Sequence, residues 1–140
     1  MNSKDYLIRY FQQLGEVLAA IAGFRDKKKH QLALDEINQT LNAWFMMSES
    51  DIEQLSTVEL CEKVLSSPSP HFEKEKTIAE LLYQKAITCY EMKKSAETQA
   101  LFMKTLALYK AIDAQSREYS IEIQQRIAEL DKLLSGAYSA

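Results

Sequence analysis

The stretch that most constrains the fold is residues 77–112, TIAELLYQKAITCYEMKKSAETQALFMKTLALYKAI, the most densely apolar part of the chain. At about 100° per residue, Ile78, Leu82, Ala86 and Cys89 fall on one helical face. Tyr83, Ile87 and Tyr90 flank it on one side and Leu81 and Met92 on the other, leaving Glu80, Gln84, Thr88 and Glu91 in a narrow polar stripe. A helix apolar around most of its circumference must touch protein on several sides, so the pattern predicts a buried, central helix. A second helix follows over residues 95–112, after a short turn at Lys93 and Lys94. Its alanines Ala96, Ala100, Ala107 and Ala111 form a row that predicts close packing on the first helix, at a separation of about 8 Å. So short a connection makes the two antiparallel.

The flanking segments continue the helical pattern. Tyr6, Leu7, Tyr10, Phe11, Leu14, Val17, Leu18 and Ile21 give a broad apolar face from near Ser3 onward, with Asp5 favouring the positive end of the helix dipole. Gly15 inside that helix costs about 1 kcal/mol relative to Ala, which predicts a neighbouring helix in close contact, and Gly23 is the expected stop. A second helix to Phe45 carries Ala33, Leu34, Ile37, Leu41 and Trp44 on one side. Ser56 and Glu59 have capping-box spacing and start a short helix that turns Val58, Cys61, Val64 and Leu65 inward. Ser66–Pro70 is the strongest breaker. A last helix over 116–134, with the stripe Tyr119, Ile123, Ile127, Leu130, Leu133 and Leu134, should cover one side of the core and end at Gly136.

These readings give an all-α fold of antiparallel helical hairpins, about six helices including one short one, in a single domain. Residues 1–47 form an N-terminal hairpin, 48–72 a short helix and Pro-containing connection, 73–112 the central hairpin, and 113–140 a covering helix and tail. Three Gly and two Pro in 140 residues are too few for a turn-rich β fold. A net charge of −3 argues against non-specific nucleic-acid binding. Lys4, Asp5 and Arg9 interrupt the first apolar stretch, so no secretory leader is expected, and no run reaches the length of a membrane span. A cytoplasmic location, away from membranes, is the expectation.

The chain also echoes itself. Ala33, Ile37, Thr40 and Leu41 recur as Thr98, Phe102, Thr105 and Leu106 at an offset of 65 residues, which also carries Lys28-Lys29 onto Lys93-Lys94. On these positions the chain resembles tetratricopeptide-type helical hairpins, whose second helix carries small, aromatic and Ala-Leu residues at such intervals. Here Thr40 and Thr105 stand where that repeat has Ala, and an insertion separates the hairpins. The segments DYLIRYFQQLGEVLAAIAGF, LALDEINQTLNAWF and IAELLYQKA also resemble a family of small bacterial helical proteins of unknown function. The resemblance implies a tetratricopeptide-like fold and no activity.

Chemistry-bearing constellations are sparse, and no enzyme, cofactor, metal or catalytic residue is expected. His30 and His71 are far apart, and His71 with Glu75 at i, i+4 supplies two ligands where a catalytic zinc needs three. The run Glu49, Asp51, Glu53 lacks the Gly and distal Glu of a calcium loop and reads as helix-capping. No phosphate-cradling Gly-rich loop or nucleophile elbow occurs. Cys61 and Cys89 fall on apolar faces and read as buried small hydrophobes.

The leading expectation is a non-catalytic module that binds an unidentified protein or peptide. Arg25, Lys27, Lys28, Lys29, Lys93 and Lys94 are the candidate partner-binding residues, if the two turns project from one end. The alternative is nucleic-acid or polyanion binding through the same turns, although aromatic interleaving for base stacking is absent. Further readings are an interface anchored by Trp44, Phe45, Met46 and Met47, a small-ligand pocket among Tyr6, Tyr10, Tyr83 and Tyr90, and a homodimer through the C-terminal stripe.

Overall fold

Seven α-helices lie among residues 3–138, which the computed structural model describes: α1 (Ser3–Asp26), α2 (His30–Phe45), α3 (Glu49–Gln54), α4 (Thr57–Val64), α5 (Glu73–Glu91), α6 (Ser95–Gln115) and α7 (Ile121–Tyr138). No strand occurs among the described residues. The two short helices carry the same start signal. Ser48 and Asp51 close a capping box on α3, and Ser56 and Glu59 close one on α4. Hydrogen bonds from the Ser48 and Ser56 backbone N–H hold the Asp51 and Glu59 carboxyls below their usual range.

The long helices stop for a different reason than glycine. α1 runs through Gly23 to Asp26, and it ends where Lys28 takes a left-handed φ of 62°. The Lys28 N–H then donates to the Arg25 carbonyl and the Lys29 N–H to the Phe24 carbonyl, which satisfies the helix end. α7 likewise continues through Gly136. A β-carbon on Gly15 would meet nothing within 4 Å, so no close helix approach requires that glycine.

Packing proceeds in chain order: α1 on α2, α2 on α5, α5 on α6 and α6 on α7, with α4 against α6. The zigzag gives two layers, α1, α5 and α7 in one and α2 and α6 in the other. α5 sits at the centre as its sequence requires, with Ile78, Ala79, Leu81, Leu82, Ala86 and Cys89 buried. The face of α6 that packs is not the alanine row, because Ala96 and Ala100 are exposed. Leu101, Phe102, Leu108, Tyr109 and Ile112 are buried instead, together with Thr98 and Thr105. Those threonines tolerate burial because each hydroxyl donates to the carbonyl four residues back, as Thr40, Thr77 and Thr88 also do.

In α4 the inward residues are Leu60 and Val64, while Val58 is 65% exposed. Leu60 lies about 200° around the helix from Val58, so burying Leu60 points Val58 to solvent. The Pro-containing loop is anchored by Glu75, fully buried, whose carboxylate accepts from the Ser69 backbone N–H and hydroxyl. α7 begins five residues later than the pattern suggested, so Tyr119 lies outside the helix and is exposed. Its stripe of Ile123, Ile127, Leu130, Leu133 and Leu134 does face the core.

Candidate partner-binding groove

The two basic turns project from the same end of the molecule. Glu91, at the end of α5, accepts from or pairs with His30 at 3.1 Å and lies 4.0 Å from the Arg25 guanidinium. Arg25 also donates to the Gln84 side chain. One of the six candidate cations is therefore committed to bracing α1 against α5. Lys27, Lys28, Lys29 and Lys93 stay exposed and Lys94 is half-buried. Asp26 and Glu91 are interleaved with them around a shallow depression of about 440 Å³ lined by Arg25, Asp26, Lys28, His30 and Glu91. The patch is mixed in sign, which weakens its field on a polyanion.

A larger feature lies along the layer of α1, α5 and α7. A groove of about 810 Å³ has α5 as its floor and α1 and α7 as its walls. The α1 wall is apolar: Leu7, Phe11, Leu14 and Leu18 succeed one another along a single helical stripe. Phe11 is 52% exposed, and the three leucines are half-buried. The opposite wall, α7 and the residues just before it, is mostly polar, with Glu118, Ser120, Glu122, Gln125 and Arg126 beside the buried Ile123. Lys76, Thr77, Glu80 and Tyr109 form the floor, and His71 stands at the mouth, 3.7 Å from Glu118.

A polar network ties three helices together at the floor. The Arg126 guanidinium donates twice to the Glu80 carboxylate, at 2.6 and 3.1 Å, and once to Glu129, and it lies 4.0 Å over the Tyr83 ring. Burial works against the guanidinium, but the two-point Glu80 bond outweighs it and holds its pKa above the usual value. Tyr83 donates to Glu129, and its phenol is pushed up to about 12 by burial first and that bond second. Burial also raises Tyr109, whose hydroxyl reaches Glu80 at 3.4 Å. Tyr10 donates to Thr77 at 2.8 Å and fastens α1 to the groove floor.

The remaining sequence candidates are dispersed. His71 and Glu75 do not converge, since Glu75 is buried under the Pro-containing loop and His71 is exposed. Among the described residues no three His, Cys, Asp or Glu side chains could share a metal ion. The four tyrosines line no common pocket: Tyr6 stacks on Tyr10, Tyr83 lies under Arg126, and Tyr90 packs near Phe102. Trp44 packs against Tyr10 and Phe45, Met47 is buried, and Met46 is left exposed at the left-handed end of α2. Both cysteines are free thiols, raised by burial. No described helix is long and apolar enough to cross a membrane.

Sequence patterning also passed over Lys85. Its side chain is almost wholly buried, 3.9 Å from Glu49, in a crevice of about 280 Å³ between α3, α5 and α6. Burial lowers its pKa, against the pull of Glu49. Lys104 lines the same crevice and donates to the Ile52 carbonyl at 2.9 Å, capping α3.

No protein-family model, curated protein or solved structure matches the chain.

Proposed function

We propose that this chain is a non-catalytic helical module that holds a segment of a partner protein in the groove between α1, α5 and α7. The observation that carries the reading is the uncovered apolar wall of α1. Leu7, Phe11, Leu14 and Leu18 line an open groove in place of a further helix, above a floor braced by the Arg126–Glu80 bond. Contiguous apolar surface held open on a rigid frame is characteristic of interaction sites. The alternation of hairpins, with the first helix of each on the groove side, supports the tetratricopeptide-like interpretation of the repeat. The mixed signs around Glu91 make the basic turns a weaker candidate, so the polyanion reading takes second place.

A photo-crosslinking residue replacing Phe11, compared with one replacing Lys93, tests this in cells that produce the protein. Capture of one recurrent protein from position 11, lost on Leu14→Asp, is the expected result. Crosslinks only from position 93, or to nucleic acid, would move the site to the turns.

A further inference from the structure

The geometry points to a definite occupant for the groove: an amphipathic α-helix of the partner, apolar stripe on α1 and a Lys- or Arg-bearing edge along α7. This rests on the reading of the groove as the partner site. It specifies what fills it.

The first support is spacing. Leu7, Phe11, Leu14 and Leu18 recur at i, i+4, i+7 and i+11, a ridge about 16 Å long at ~1.5 Å per residue. A ligand with the same spacing can interdigitate with that ridge along its whole length. The second is backbone bookkeeping. An extended peptide would bring unpaired N–H and C=O groups against the apolar wall, and helical walls have no sheet edge to receive them. The groove-lining set contains one carboxamide, Gln125, and no Asn to stand in for such an edge. A helix satisfies its own backbone and needs only side-chain contact.

The third support is charge. Glu118 and Glu122 lie on the wall across from α1, with Glu73 beside them at the start of α5. Arg126 cannot neutralise them, because Glu80 and Glu129 already occupy its guanidinium. Lys76 is the remaining permanent cation of the lining. The edge of the groove along α7 is therefore acidic while the edge along α1 is apolar. The groove is open to solvent on its outer side, so a docked helix lies half-sunk in it. Its polar back would remain in water.

Three labelled synthetic peptides test this against the full chain by fluorescence anisotropy. One is a helix former with leucines at i, i+4, i+7 and i+11 and lysines on one flank. The second has glutamates in place of those lysines, and the third is the lysine peptide broken by two prolines. The lysine helix should bind at least about tenfold tighter than either control, a gap of one decade in Kd. Phe11→Asp should abolish that binding with the circular dichroism unchanged, and Glu122→Lys should shrink or invert the preference for lysine over glutamate. Equal binding of the proline peptide overturns the helical occupant, and equal binding of the glutamate peptide overturns the basic edge. Light scattering that shows self-association lost on Phe11→Asp would make a second copy the occupant and overturn the proposal. If no peptide binds while position 11 still crosslinks a partner, the helix falls and the groove reading survives. Failure of both removes both.

Discussion

At an offset of 65 residues the α1–α2 and α5–α6 hairpins make the same turn. Lys28 and Lys93 have φ of 62° and 61°, their N–H groups donate to Arg25 and Tyr90, and the next N–H groups donate to Phe24 and Cys89. Ile37 and Phe102 are both fully buried, and Thr40 and Thr105 both return their hydroxyls to their own helix. What the hairpins do not share is their surroundings. α5 has α2, α6 and part of α1 around it, whereas α1 packs on α2 and has only a marginal contact with α5. Apolar surface is thus consumed in one hairpin and left over in the other, and the surplus is the groove wall. Place in the stack, more than local pattern, decides which apolar residues are core and which are available to a partner.

The comparison breaks most visibly at its equivalent core positions. Phe102→Ala should cost about 4 kcal/mol and Ile37→Ala about 3 kcal/mol, both within the range for emptying a fully packed site. Urea unfolding measures both. If Ile37→Ala proves nearly neutral, the first hairpin is loosely packed and the repeat is one of backbone only. Next in size is the clamp under the groove. Arg126→Leu leaves the Glu80 carboxylate partly buried without its two-point partner, at a cost of about 2 kcal/mol. The first hairpin is tied to α5 by separate contacts instead, Tyr10 to Thr77, Arg25 to Gln84 and His30 to Glu91.

Sequence pattern revealed the helices other than the short α3, the central place of α5, both hairpin turns and the capping box of α4, because each has a local cause. It could not reveal which side of α1 lacks a neighbour, since Phe11 and Ile21 belong to one broad apolar face and the pattern is silent on what stands opposite each. The alanine row of α6 misled for a related reason. Small residues permit close approach but do not compel it, and Phe102, Leu108 and Ile112 bury more area when they face inward. Val58 was assigned inward on apolar character, whereas Leu60 and Val64, about 200° and 240° around the helix from it at ~100° per residue, take the core side. Lys85 and Glu75 were invisible as buried groups, because only tertiary partners such as Glu49 and Ser69 make their burial tolerable.

A smaller effect separates the layers by pH. The Tyr83 phenol has its ordinary pKa near 10 when unfolded and about 12 when folded, because burial and the Glu129 bond favour the neutral form. A raised folded pKa means the contribution is whole below pH 10 and is lost as pH climbs through about 12. Chemical denaturation at pH 9, 10, 11 and 12 should therefore show a falling stability, and Tyr83→Phe should flatten its share of the fall. At neutral pH the same substitution costs about 1 kcal/mol for the lost hydrogen bond. An unchanged alkaline slope in Tyr83→Phe would place the titration on Tyr109 or Tyr10, whose phenols burial also raises.

The finest test is at the turns themselves. Lys28 and Lys93 each hold a left-handed conformation that strains any residue with a β-carbon. Glycine relieves that strain but gives the unfolded chain more freedom to lose, so the net gain is about 0.5 kcal/mol. Lys28→Gly and Lys93→Gly should raise the thermal midpoint by similar small amounts, and the double variant should show their sum. The turns share one end of the molecule through Glu91, yet neither lysine pairs with it in the structure, so the two effects should not couple. Unequal gains would show that the matched φ values conceal different local strain, and non-additivity would show an energetic link across Glu91. Because both lysines lie outside the α1 groove, binding of a partner helix there should be unaffected by either change.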